Sequence, residues 1–300
     1  SYYLLAPLTI RKHFGSFNYQ KNLKFRVQSY LEFASWKHKA LPHLRKEEGW
    51  NNLFWQIMRT REKSSRKSWA GNIFQEGRVR LSALLTPSNF LLLSHGSLRA
   101  VEALGKYVHL RKWKLDGVSG PVNLVNQFLL SANLQPKDEP SISARDFKLF
   151  QTTSKINPTR RDGYELYRVE GKEWPRARVW AHKFAMEANP PMDLAAITQM
   201  AKQMQAAKNL FILKNSENIF CAMAGFGRST ERYQVINMVY VPEELRRKGM
   251  AEELLNRMIL ESKASGYKGC LLFSEWQGPR NLYELMGCKT LGRFVEQDLA

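Results

Sequence analysis

The sequence predicts an α/β (α+β) chain built as two lobes. Its 300 residues exceed the usual span of one domain. A hairpin followed by a further strand and a helix occurs twice, over residues 72–85 and onward and again from residue 215 onward. Hydrophobic residues make up 44% of the chain and aromatic residues 12%, enough to pack a core in each lobe.

From Leu31 to Met58 the rhythm is helical. Leu31, Phe33, Ala34 and Trp36, then Trp50, Leu53, Phe54 and Ile57, recur at turn spacings, with breaks at Pro42 and Gly49. Thr60–Ser68 is a basic polar loop. Trp69–Phe74, a Gln75-Glu76-Gly77 turn and Val79–Leu85 read as a hairpin, and Phe90–Ser94 as another strand. Leu98–Leu110 is an amphipathic helix with Val101, Leu104 and Val108 on its inner face. Gly117–Pro121 reads as a tight connector into a helix over Val122–Ala132. Asn133–Pro140 is polar and bounded by prolines, Phe147–Thr152 a closing strand, and Ser154–Gly163 a linker. The second lobe then runs strand (Tyr164–Val169), helix (Trp174–Ala188), helix (Asp193–Ala207), strand (Leu210–Leu213) and strand (Ile219–Gly227).

The most informative stretch is Gln234–Arg257. Val235–Val241 is strand-like, and Pro242, which has no N–H to donate, ends it. Met250, Ala251, Leu254, Leu255, Met258 and Ile259 mark one face of a helix. Between them lies Arg246-Arg247-Lys248-Gly249-Met250-Ala251. The first N–H groups of a helix have no internal partner, and the macrodipole places positive potential on them. With Gly249 and Ala251 carrying little side chain and three cations alongside, this turn is a pyrophosphate cradle by physical criteria. It matches neither GxxxxGK[ST] nor GxGxxG.

The strand, the Arg-x-x-Gly-x-Ala turn and the helix resemble the coenzyme A motif of the GNAT superfamily of N-acyltransferases. The downstream order supports the resemblance: a strand at Cys270–Ser274, then Asn281-Leu-Tyr-Glu-Leu-Met-Gly287 and a last strand-like segment. The resemblance covers about Gly163–Ala300. It implies two GNAT-like lobes, each a mixed, mostly antiparallel sheet flanked by helices. The expected boundaries are a basic extension over 1–29, a degenerate lobe over 30–157 and an acetyltransferase domain over 158–300. In the first lobe Phe90–Ser94 leads into His95-Gly96-Ser97-Leu98-Arg99, without the Arg-x-x-Gly-x-Ala spacing, so only the second is expected to hold coenzyme A.

The family further implies acetyl-CoA as acyl donor. Pantetheine would pair with the backbone of Val239, Tyr240 and Val241, and the pyrophosphate would sit at Arg246, Arg247, Lys248, Gly249, Met250 and Ala251. It also implies that the strand before the cradle splays from Cys270–Ser274. Arg280 is a candidate phosphate contact, and Tyr283 matches the tyrosine that protonates the leaving thiolate. Two positions depart from the pattern: Gly287 precedes Cys288 rather than Phe or Tyr, and Trp276–Arg280 replaces an asparagine. No Glu lies in Gln234–Val241 to serve as general base. Glu231 and Glu275, at the ends of neighbouring strands, are the candidates.

Composition narrows the remaining classes. No apolar run approaches the ~18 residues of a membrane span. Cys221, Cys270 and Cys288 sit in or beside apolar runs and read as reduced core residues of a cytoplasmic protein. His38 and His43 are separated by the helix-breaking Pro42, so no metal site is expected. The net charge is +19, of which +14 falls in residues 1–150 and +5 in 151–300. Such a field attracts polyanions. The expected activity is acyl transfer from acetyl-CoA to a primary amine, by a monomer or homodimer. The alternative is a non-catalytic module that binds coenzyme A or, through the basic first half, nucleic acid.

Overall fold

A computed structural model describes residues 24–61, 68–137 and 144–300. Residues 1–23, most of the Thr60–Ser68 loop and the end of Asn133–Pro140 lie outside the described residues.

The first half runs β1 (Arg26–Tyr30), α1 (Phe33–Leu44), α2 (Asn52–Arg61), β2 (Ala70–Gln75), β3 (Arg78–Leu85), β4 (Phe90–Leu93), α3 (Leu98–Leu110), β5 (Gly117–Pro121), α4 (Val122–Ala132) and β6 (Ala144–Gln151). The second half repeats that order. It comprises β7 (Tyr164–Arg168), α5 (Trp174–Glu187), α6 (Leu194–Ala206), β8 (Leu210–Asn215), β9 (Phe220–Ser229), β10 (Tyr233–Tyr240), α7 (Met250–Ala264), β11 (Gly269–Ser274), α8 (Leu282–Leu285) and β12 (Lys289–Asp298). In each half two helices follow the first strand and one helix crosses between two parallel strands, β4 with β5 and β10 with β11. The other strand pairs are antiparallel. This is a mixed, mostly antiparallel α/β fold in tandem.

All twelve strands form one sheet, in the order β1-β2-β3-β4-β5-β12-β6-β11-β10-β9-β8-β7. The two halves trade their last strands. β6 lies between β12 and β11, and β12 lies between β5 and β6. The seam is apolar: Leu149 and Phe150 of β6 and Phe294 of β12 are buried almost completely. One cluster gathers α3 and α4 on the first half, and another gathers α7 against β9, β10 and β11.

Three elements differ from the sequence expectation. α1 continues through Pro42 to Leu44 instead of breaking there, because a proline near the helix end forgoes few intrahelical bonds. Gly117–Pro121 is a fully buried strand rather than a connector. Its glycines are there for close approach: a Cβ on Gly117 would lie 2.2 Å from the Phe90 ring, and one on Gly120 would lie 2.9 Å from Leu93 Cβ. Turn-like composition and tight packing call for the same residue, and packing prevails here. Arg26–Tyr30, which begins inside the expected extension and crosses its boundary, is the edge strand β1, paired with β2 from Arg26↔Phe74 to Tyr30↔Ala70.

Candidate active site

β10 and β11 pair in parallel from Tyr233↔Gly269 to Ile236↔Leu272 and then part, as the splay expected for these strands requires. The other edge of β10 shows how. Its register with β9 runs Asn237↔Gly225 and then Tyr240↔Met223, three steps against two. Met238 takes up the extra residue at φ +52. A bulge of this kind sharpens the twist and re-aims the backbone. Gly227 makes room for the Asn237 side chain, since a Cβ there would lie 2.5 Å from Asn237 Nδ2.

Where the strands part, a cleft of about 650 Å3 opens. Val239, Tyr240, Val241 and Tyr283 line it, together with Arg246 at the end that leads into α7. Both halves supply its walls: Leu53 from α2 and Arg145 and Phe147 from β6 stand beside Arg228, Phe273, Glu275, Phe294 and Glu296. Arg228 also borders a second cavity of about 230 Å3.

The N-terminus of α7 is open. Gly249 caps it at φ +78 without a side-chain cap. The N–H groups of Met250, Ala251 and Glu252 find no hydrogen-bond acceptor among the described residues. Arg247 and Lys248 are exposed beside it, with the Lys248 ammonium donating to the Glu244 carbonyl at 2.9 Å. Met250 turns inward to the core and Ala251 is half-buried. One cation comes from outside the motif: Arg161, in the linker before β7, donates to the Lys248 carbonyl and ion-pairs with Glu252 at 3.5 Å. Its guanidinium lies 2.5 Å from where a Cβ on Gly249 would stand.

The sequence-predicted cations do not all converge. Arg246 folds back over its own strand end, donating to the Val241 carbonyl at 2.9 Å and to Glu187 at 2.8 Å. Arg280 is exposed, at φ +58, and does not line the cleft.

The corresponding helix of the first half is closed by protein. The Ser97 N–H bonds the Arg80 carbonyl at 3.1 Å, and the His95 N–H bonds the Asn51 side chain at 2.8 Å. His43 Nε2 sits 2.9 Å from the His95 carbonyl. A Cβ on Gly96 would strike the Arg80 carbonyl at 2.3 Å. No cradle exists there for a phosphate. His43 is thereby placed in a hydrogen-bond network, and no group of three or more metal-ligating side chains gathers among the described residues.

Tyr283 stands on the short helix α8, which Asn281 caps by accepting from the Tyr283 N–H at 2.9 Å. Its ring packs edge-on against Phe150 at 5.3 Å, and burial pushes its phenol up to about 12. Neither base candidate from the sequence is free. Glu231 is ion-paired with Arg45 at 2.7 Å and lies outside the cleft. Glu275 lines the cleft but is held by Arg145 at 3.2 Å and by the Asn189 N–H at 3.1 Å.

The carboxylate that sequence reasoning missed is Glu296. It opposes Arg145 of β6 and Ser119 of β5 in register, and lines the cleft two residues from Phe294. It accepts no hydrogen bond and forms no ion pair among the described residues, and burial raises its carboxyl above the ordinary value, against the pull of Arg228 and Arg145. The signal available in the sequence is a Glu in phase with Phe294 in a terminal strand; that this strand enters the middle of the sheet is not legible locally.

The three cysteines are free and buried, and none lines the cleft. Burial holds the thiols of Cys270 and Cys288 up at about 12. Among the described residues no helix is long and apolar enough to cross a membrane.

Comparison with known proteins bears on the second half and on the fold. Residues 185–298 match the family model of the acetyltransferase (GNAT) domain. A GNAT-family acetyltransferase from Colwellia psychrerythraea is similar in fold, with TM-score 0.56 and 11% identity over 92% of this chain and all of that one. A GCN5-related N-acetyltransferase from Sphaerobacter thermophilus is similar at TM-score 0.57 and 13% identity over 91% of this chain and 95% of that one. A Drosophila protein gives 0.57 and 11% over 90% and 98%. No curated protein matches the chain. The family model thus falls on the bulged strand, the glycine-capped helix and the closing strands of the second half, and the whole chain shares its fold with solved GNAT-family proteins in a tandem arrangement of two similar halves.

Proposed function

We propose that this protein moves an acyl group, acetyl foremost, from acyl-CoA to a primary amine by direct transfer. The observation that carries the reading is the open, glycine-capped terminus of α7 at the end of a cleft that β10 and β11 form by parting. The main-chain N–H groups of Met250, Ala251 and Glu252, with Arg161, Arg247 and Lys248 around them, suit the pyrophosphate. The freed edge of β10 at Val239–Val241 suits the pantetheine amides, for which the Arg246 side chain would have to leave the Val241 carbonyl.

The reaction joins amine nitrogen to thioester carbon and breaks the carbon–sulfur bond. Glu296, without an ion-pair partner and raised by burial, takes the proton from the ammonium so that the nitrogen lone pair can attack. A backbone N–H at the β10 bulge stabilises the oxyanion, an interaction of about 2.7–4 kcal/mol in preorganised sites. Tyr283, protonated at neutral pH, gives its proton to the departing thiolate. The cleft offers no thiol to carry the acyl group, which favours direct transfer over an acyl-enzyme.

The test is release of free thiol from acetyl-CoA in the presence of a panel of primary amines. Turnover with any of them supports the reading. Tight binding of coenzyme A with no thiol released from acetyl, propionyl or longer acyl donors would instead identify a binding module.

A further inference from the structure

The cleft has seven charged side chains, and five are already satisfied by the protein. Arg145 is held by Glu275 and by the carbonyls of Pro190 and Pro191 at 2.6 and 3.0 Å. Glu187 and Arg246 hold one another, and Asp193 caps α6 by accepting from the Ala196 N–H at 2.7 Å. Arg228 and Glu296 remain.

Arg228 is built to present its fork. Its Nε donates to Asn52 Oδ1 at 2.6 Å, and its guanidinium carbon lies 5.1 Å from the Phe273 ring centroid. The ring and the Asn52 side chain fix the plane. Both terminal nitrogens are left without a hydrogen-bond partner among the described residues. The cation is half-buried, and the loss of solvent around it brings its pKa down to about 10. Glu296 acts on it electrostatically, yet the two form no ion pair. A half-buried cation and a half-buried carboxylate that line one cleft and form no ion pair with one another leave a complementary pair of charges unsatisfied.

Resting on the acyltransferase reading above, we propose that the acceptor is an amine carrying a carboxylate, the amino-acid class, with its carboxylate held bidentately by Arg228 and its amine presented to Glu296. Guanidinium and carboxylate match as two parallel N–H to O bonds, and a desolvated site strengthens both. The ammonium beside Glu296 loses one proton to it and attacks the thioester carbonyl. As the carbon–nitrogen bond forms and the carbon–sulfur bond breaks, the nitrogen sheds a second proton and the thiolate gains one. The products are the N-acyl amino acid, coenzyme A as free thiol, and one proton. The carboxylate passes through unchanged.

The experiment compares the standard amino acids with their carboxamides on the full chain. Binding is read by calorimetry with coenzyme A present, and transfer is read as thiol release from acetyl-CoA. At least one amino acid is expected to bind and react about 10- to 100-fold better than its amide, the size of a lost charge-assisted contact. R228Q should bring the acid down to the level of the amide, and R228K should fall between, with thermal melts reporting whether each variant is folded. The wild-type comparison needs no variant at all. Amides equal to acids in both readouts, or no amino acid binding, would overturn the proposal. Transfer without carboxylate preference would leave the acyltransferase reading standing. Carboxylate-selective binding without thiol release would leave the anion site standing and sink the acyltransferase reading.

Discussion

Burial holds the Glu296 carboxyl above its ordinary value of 4.5 even though Arg228 and Arg145 pull it down. A carboxyl whose folded-state pKa is raised destabilises the fold when ionised. Its neutral form is tolerated at low pH, and stability is lost as pH rises through the raised value. Glu296→Gln removes that penalty while removing the proton acceptor. The expected outcome is a melting temperature higher at pH 7, by roughly 2–4 °C per kcal/mol relieved, together with turnover lower by about 10²-fold or more. In the wild type, kcat/KM should fall on the acid side with an apparent pKa above 4.5, and that limb should vanish in the variant. A variant that melts lower, or keeps the limb, returns Glu296 to a structural role. Tyr283 titrates at the other extreme: with its phenol at about 12, it stays protonated across the working range and contributes no basic limb there. Tyr283→Phe should lower kcat by about 10-fold or more while donor affinity holds. Unchanged kcat would leave Tyr283 only its packing against Phe150.

At the scale of elements, the start of α7 and the bulge of β10 do different work. Gly249 sits at φ +78, where any side chain is strained, and its missing Cβ makes room for the Arg161 guanidinium. Gly249→Glu brings a carboxylate onto the proposed phosphate position and should abolish coenzyme A binding in calorimetry. Arg161→Ala should weaken binding several-fold and flatten its salt dependence, since one cation leaves the cradle. Undiminished affinity in Gly249→Glu would place the phosphates elsewhere. The glycine-capped start of α7 was legible because it is local: strand, turn, glycine and helix follow one another within about twenty residues, each with its own chemical signature. The bulge was not, because Asn237-Met238-Val239 has the composition of any buried strand and only the register against β9 reveals the extra residue. Arg228 and Arg161 escaped notice for a related reason. Each is an unremarkable arginine in sequence, given its role by Asn52 or Gly249 from distant parts of the chain. Arg246 shows the converse, a correctly placed motif residue whose side chain prefers Glu187 and the Val241 carbonyl.

The whole molecule depends on the exchange of β6 and β12. The expected boundary near residue 157 divides the two repeats in sequence, yet β6 supplies the partner of both β11 and β12. A chain of residues 158–300 lacks both β5 and β6, so β12 would lose both of its partners, β11 would present an unpaired edge, and Phe150-facing apolar surface around Tyr283 would be exposed. It would also lose the wall formed by Arg145 and Phe147, and Asn52 as the anchor of Arg228. Ion pairs from the first half, Glu48 with Arg232 at 2.6 Å and Arg45 with Glu231 at 2.7 Å, further fix the turn between β9 and β10. The first half, though closed to coenzyme A, is therefore a structural part of the second half's cleft. Residues 158–300 expressed alone should be aggregated or unfolded by circular dichroism. Co-expression with residues 1–157 should return a soluble, co-purifying pair that binds coenzyme A. An isolated second half that folds, melts cooperatively and binds coenzyme A as tightly as the full chain would show that the seam is dispensable, and the first half would then need another reason to exist.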